Sequence, residues 1–305
     1  MTAPPRLRAA LVAFAFLLPP AAGRLAAQAG LDTVRIQTIP AGKGVFMLRG
    51  AGGNIALSVG DDAAFLVDDQ YAPLSEKILA AVRAVTDKPV RFLVNTHWHG
   101  DHTGGNENLA KAGVIIVAHD NVRTRMSTEQ FNATFNRKTP ASPKGALPVV
   151  TFSESVAFYL NDETIHVVHV PPAHTDGDAL VHFTRANVLH MGDNFFNGSY
   201  PFVDVSSGGS FEGVIRAVTA ALSYVNDSTK VIPGHGALAG KAELLAYRDV
   251  LVKIRDRVAA LIKQGKTKEQ VVAAKPTAEW DTTWGAGFMK PDVFLGIVYE
   301  SMASK

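Results

Sequence analysis

No cysteine occurs anywhere in this chain of 305 residues. That absence removes disulfide frameworks, thiolate zinc clusters, cysteine nucleophiles and dithiol redox motifs, so any metal site must be built from His, Asp or Glu. Excess charge of either sign is also missing, with 30 Lys and Arg against 28 Asp and Glu and a formal net charge of +2. Residues 1–29 hold Arg6, Arg8 and Arg24 and no acid, and without them the balance becomes −1. No later stretch concentrates Lys and Arg among aromatics as a nucleic-acid groove does, so nucleic acid is not expected as a partner. The apolar run Ala9–Leu18 stops at Pro19-Pro20, too short for a spanning helix of roughly 20 residues.

What is present begins with that run. Arg6 and Arg8 precede it and small residues surround a break at Ala27-Gln28-Ala29, the pattern of a secretory signal peptide with an A-x-A site. An uncleaved anchor is disfavoured by the run's length. The mature protein, from residue 30, is expected in the periplasm or outside the cell, free of the membrane. With 47% apolar and 19% charged residues, it has the composition of an ordinary globular protein.

Short β-type segments follow at Val34–Ile39, Val45–Arg49, Asn54–Val59 and Ala63–Val67, separated by glycines and read as antiparallel hairpins. After Pro73 the period changes to helical, with Leu74, Ile78, Val82 and Val85 on one face. A buried strand at Val90–Val94, a His-rich loop, a short helix near 106–112 and a strand at Val114–Val117 come next. Residues 120–150 are read as helix plus exposed connection. A second cycle then starts, with strands near 155–159, 164–170, 179–184 and 188–191, a helix capped by Ser210 and a strand at Lys230–Ile232. Two cycles imply two sheets face to face, each covered on its outer side by helices: an α/β, four-layer αβ/βα sandwich. A long amphipathic helix spans Lys241–Lys263, so the main domain is assigned to 30–264 and a C-terminal helical extension to 265–305. Trp280, Trp284 and Phe288 of that extension are expected first to pack on the core, with a dimer contact or an approach to the cleft as other roles.

The chemistry is concentrated in Asn95-Thr96-His97-Trp98-His99-Gly100-Asp101-His102, three imidazoles and a carboxylate directly after a buried strand. His97 and His99 alternate and can point the same way, while Asp101 and His102 lie past the bend and can face a second ion. These donors suit zinc and accept iron or manganese. His174, Asp193 and His235 each stand where a strand meets a loop, the usual place for ligands on a rigid scaffold.

In this order and spacing, H-T-H-W-H-G-D-H, A-H-T-D-G-D, M-G-D-N and I-P-G-H-G resemble the metallo-β-lactamase superfamily of zinc hydrolases, from about Val34 to Gly240. The resemblance implies a metal site at one edge of the two sheets. It also implies that His97, His99 and His174 hold a first zinc, that Asp101, His102 and His235 hold a second, and that Asp193 bridges both. Asp68 matches the family's first motif as a carboxylate behind the ligands, or serves only as a hydrogen-bonded strand end. Two such cations bring a water between them to hydroxide near neutral pH, a nucleophile for an ester, lactone, thioester or amide carbonyl, and Asp101 can hold or shuttle a proton.

Departures from the best-known lactamases bear on substrate. Asp193 stands where those with a cysteine ligand have Cys, and Phe196 stands where they have a substrate-binding Lys, so β-lactams rank below esters and lactones. Gly50-Ala51-Gly52-Gly53 is expected as a flap that lacks a large aromatic. Phe195, Phe196, Tyr200 and Phe202 are candidates for an apolar wall or for core packing. His119, His166, His169, His182 and His190 are assigned to structure. The lead reading is an exported binuclear zinc hydrolase acting on a small molecule. The main alternative is an iron-dependent redox enzyme of the same fold acting on persulfides or oxygen, although its diiron branch usually has Glu where this chain has His99. A nucleic-acid processing enzyme and a binding protein without turnover rank lower.

Overall fold

A computed structural model describes residues 30–303; the proposed signal peptide lies outside the described residues. Strands β1 (Gln37–Gly42), β2 (Val45–Arg49), β3 (Ile55–Ser58) and β4 (Ala64–Val67) form successive antiparallel pairs. Helix Ser75–Arg83 then crosses over to β5 (Val90–Val94), parallel to β4, and β6 (Ile115–His119) continues the sheet in parallel. After a small antiparallel hairpin of β7 (Gln130–Asn132) and β8 (Arg137–Thr139), β9 (Val150–Phe152) closes this seven-stranded sheet against β6. The second sheet runs β10 (Ser155–Leu160), β11 (Glu163–His169), β12 (Ala179–Phe183), β13 (Val188–His190) and β14 (Lys230–Ile232). Its last pair is parallel, joined through helix Phe211–Ala221.

Strand periodicity sorts the layers. Phe65 and Val67 face the inter-sheet core with Val94, Val117, Val167, Val181 and Ile232, while their neighbours Ala64 and Leu66 face outward under Leu74, Ile78 and Val82. On the second sheet's outer side, Leu180, Leu189 and Val231 pack beneath Val214, Val218, Leu251 and Ile254. The result is the helix/sheet/sheet/helix sandwich. Helix Phe211–Ala221 starts as expected, with Ser210 Oγ accepting from the Gly213 amide. Helix Lys241–Lys263 has the bounds its periodicity indicates.

Two local readings change. The first strand begins at Gln37 instead of Val34, because Lys77 Nζ donates to the carbonyls of Leu31, Asp32 and Val34 and holds that segment beside the helix. Residues 120–150 also contain the β7–β8 hairpin, too short and polar to announce itself by alternation. After Lys263, helices Lys268–Ala273 and Pro291–Ala303 share one core with the second sheet's helices through Val271, Phe294, Leu295 and Val298. Trp280 and Trp284 pack on that core, but Phe288 does not: it is 74% exposed, and the adjacent Met289 is the residue that turns inward. Among the described residues, no helix is long and apolar enough to cross a membrane.

Candidate metal centre

The ends of β5, β11, β13 and β14 converge on one edge of the sandwich. His97 and His99 follow β5, with His99 at the start of the short helix Gly100–Thr103 that carries Asp101 and His102. His174 lies beyond β11, Asp193 in a single 3₁₀ turn after β13, and His235 after β14. The structure brings all seven together as two groups of potential ligand atoms, His97, His99, His174 and Asp193 in one and Asp101, His102 and His235 in the other, each within 4.8 Å.

Asp193 links them. Its Oδ2 lies 3.8 Å from His97 Nε2, 3.6 Å from His174 Nε2 and 3.4 Å from His235 Nε2, while Oδ1 lies 3.1 Å from His102 Nε2. Asp101 Oδ2 stands 3.3 Å from His235 Nε2 and 3.5 Å from His102 Nε2. Ligands about 2.0–2.1 Å from a tetrahedral ion are about 3.4 Å apart, so the spacing already suits metal ions.

Tautomers make the same point. Thr96 Oγ1 gives its proton to Asp68 Oδ2 (2.8 Å) and therefore accepts from His97 Nδ1 (3.0 Å). His102 Nδ1 donates to Asp68 Oδ2 (2.7 Å), His174 Nδ1 to the Phe202 carbonyl (2.7 Å) and His99 Nε2 to Asp204 Oδ2 (3.0 Å). In each neutral ring the remaining nitrogen then presents a lone pair to the centre. Two of them, His99 Nδ1 and His174 Nε2, are only 2.9 Å apart. His97 Nε2, His102 Nε2 and Asp193 Oδ1 are buried without a hydrogen-bond partner. Buried acceptors left facing one another are costly unless a cation satisfies them. The donor set therefore fits a pair of zinc ions or similar metals.

Burial holds the His97 imidazole well below its ordinary pKa, and it takes His174 down to about 4; both rings are neutral, as ligands must be. At His102 burial acts in the same direction but is outweighed by Asp193, Asp101 and Asp68, which pull the ring toward its protonated form. Three carboxylates around one imidazole mark a place that calls for positive charge.

Two glycines allow this closeness. A Cβ on Gly53 would fall 2.1 Å from His102 Cε1, and one on Gly234 would fall 2.0 Å from Asp193 Oδ1. The Gly50–Gly53 turn is thus pressed against the donors, with the Gly53 amide donating to the Asp101 carbonyl.

Asp68 follows the last residue of β4 and accepts from the Thr96 amide and from His102 Nδ1. The candidate wall divides. Phe196 stacks on His235 at 5.1 Å and Phe202 on His99 at 5.8 Å, whereas Phe195 packs on Tyr247, and Tyr200 donates to Asp281 Oδ1. Among the remaining histidines, His190 is buried between the Asn54 carbonyl and the Gly192 amide, His119 stacks on His169, and His166 pairs with His182 across β11 and β12. Asp204, which no sequence motif marks, also receives Asn132 Nδ2 and Ser207 Oγ on its carboxylate. Nothing in Tyr200-Pro201-Phe202-Val203-Asp204 places it behind His99, since the contact crosses 105 residues. Asp204→Ala should free the His99 ring and weaken metal binding about 10- to 100-fold. Zinc titration against a competing chelator checks this, and unchanged affinity would make the Asp204 contact incidental.

Residues 49–244 match the Metallo-beta-lactamase superfamily. The atrochrysone carboxyl ACP thioesterase of Aspergillus fumigatus is 26% identical over 66% of this chain, which spans 42% of that protein. The hydroxyacylglutathione hydrolase of Gloeobacter violaceus is 25% identical over 76% of this chain and 91% of its own length. Among solved structures, the inverting sec-alkylsulfatase Pisa1 from Pseudomonas sp. has the same fold, with TM-score 0.67 and 18% identity over 87% of this chain and 50% of that one.

Proposed function

This chain belongs to the metallo-β-lactamase superfamily, and from that premise we propose that it is an exported zinc hydrolase of carboxylic esters, thioesters, lactones or amides. The observation that carries the reading is the set of buried, partnerless donors on His97, His102 and Asp193, held in position by Thr96 and Asp68. In this proposal His97, His99 and His174 hold one zinc, Asp101, His102 and His235 hold another, and Asp193 serves both. Such a pair, when bound, supplies a water activated near neutral pH and a Lewis acid for the attacked oxygen. Asp101, whose side chain is the more exposed of the two carboxylates, is placed to hold or pass a proton. Thr96, Asp68, Asp204 and the Phe202 carbonyl fix the imidazoles, so the site requires little rearrangement. The names of the thioesterase and the hydroxyacylglutathione hydrolase support thioesters as a class to test first. The sequence pattern of residues 1–29 supports export.

The test is a substrate panel of ester, thioester, lactone and β-lactam on the zinc-loaded mature protein, with metal content by mass spectrometry. Two zinc ions per chain and turnover of an ester, thioester or lactone are expected. Redox-active iron with persulfide or oxygen consumption, or failure on every class, would overturn the proposal.

Phe196 directs the ranking within the panel. It covers His235 with an apolar ring, and a missing charge-assisted hydrogen bond to a β-lactam carboxylate is worth roughly 1.5–3 kcal/mol, about 10- to 150-fold in kcat/KM. Neutral esters or lactones should therefore outpace β-lactams, and Phe196→Lys should shift the ratio toward β-lactams. Equal ratios in both proteins would rule out Phe196 as the discriminating residue.

A further inference from the structure

Three aromatic rings lead away from the metal centre. Phe202 lies 5.8 Å from the His99 ring and 5.7 Å from the His174 ring; Phe135, in the turn between β7 and β8, lies 5.1 Å from Phe202; Phe288, in the C-terminal segment, lies 5.6 Å from Phe135. Exposure rises along the row from 8% to 42% to 74%. An isolated exposed phenylalanine needs no explanation, but a contiguous row starting on two metal-group imidazoles is an apolar surface continuous with the site.

The row is also anchored. Asn132 Nδ2 donates to Asp204 Oδ1 (3.2 Å), the Ala133 amide to Ser206 Oγ (3.0 Å) and the Phe135 amide to Asn132 Oδ1 (3.0 Å). Asp204 is the carboxylate that orients His99, so one group positions both a candidate ligand and the hairpin that carries Phe135. Phe196, stacked on His235 and 6.3 Å from His174, adds an apolar ring beside the other metal group. The turn at 50–53 offers no side chain larger than the Ala51 methyl, whereas the hairpin and tail present Phe135 and Phe288.

We propose that Phe202, Phe135 and Phe288 form a track for the hydrocarbon chain of the substrate, making the site selective for long-chain over short-chain esters and thioesters. The inference rests on the hydrolase reading above and gives it a substrate class. Its chemistry is simple: a chain laid on the row removes apolar surface from water on both partners, and each methylene placed there adds to affinity.

The experiment measures kcat/KM of the zinc-loaded protein on p-nitrophenyl acetate, butyrate, octanoate and decanoate, and on the matching alkyl acetates. Calorimetric binding of butyrate and decanoate is measured in parallel, independently of turnover. In at least one ester series kcat/KM should rise about two- to fourfold per methylene, and Phe135→Ser with Phe288→Ser should flatten that rise. Tyr159→Ser, at an equally exposed aromatic on β10 (77%), should keep it. A flat profile in the unmodified protein, or a slope that survives the double substitution, overturns the track. If no ester is hydrolysed, calorimetry alone judges the track, whatever the wider panel shows for the hydrolase reading: decanoate binding about tenfold or more above butyrate, lost in the double variant, upholds it, and equal binding overturns it. A dimer dispersed by the same substitutions, with a flat profile, would assign the row to a subunit contact and likewise overturn it.

Discussion

Replacing Asp193 by asparagine is expected to lower bound metal from two ions per chain toward one and to reduce kcat/KM by about 10²-fold or more. The substitution keeps the shape of a side chain wedged against Gly234 and removes the one carboxylate that, among the described residues, reaches both groups of donors. Changes to residues behind metal ligands already cost about 10- to 100-fold in affinity or activity, and a shared ligand should cost at least that. Its charge matters as well as its donors: two cations a few ångströms apart repel, and a buried anion between their ligands offsets that repulsion where water cannot screen it. Mass spectrometry of the intact protein and steady-state kinetics on one ester provide the check. Two retained metals with unchanged turnover would reduce Asp193 to a strand-end carboxylate.

The seven residues now found in two adjacent groups could be picked out in the sequence because each lies beyond a strand with a Gly or Pro within two residues, or in a dense His-rich loop. Local pattern carries that much. Period-two and helical spacing likewise sorted the layers, since Phe65 and Leu66 face opposite cores as alternation requires. What the sequence did not disclose depends on contacts between distant segments. Asp204 sits behind His99 across 105 residues, and Asn132 reaches Asp204 across 72. The role of the β7–β8 turn was equally hidden, because Phe135 acquires significance only through the fold that lays it on Phe202. Phe288 and Met289 exchange inside and outside by one residue, a choice that no periodicity decides in an irregular segment.

Stripping the metal should abolish hydrolysis and also weaken the fold, and the second effect is the more informative. Free zinc at a thousandfold over its dissociation constant stabilises the folded state by about 4.1 kcal/mol per site, and at about 2–4 °C per kcal/mol for a domain of this size chelation should lower the melting temperature by about 10 °C or more. The loss should depend on pH in a definite direction. In the metal-free site burial disfavours a charged His235, but Asp193 and Asp101 overcome it and raise the ring from 6.5 to about 9. A proton on His235 then partly replaces the cation. Because the folded pKa exceeds the unfolded one, this contribution is complete below about pH 6.5 and disappears as pH rises through about 9. Chelated protein should accordingly melt progressively lower between those limits, while zinc-loaded protein, whose His235 is held neutral by the metal, should not show that component. Thermal scans of both forms across this range, with zinc added back to restore activity and melting temperature together, make the comparison. A melting temperature that chelation leaves unchanged would mean that the His and Asp cluster does not hold metal in the folded protein.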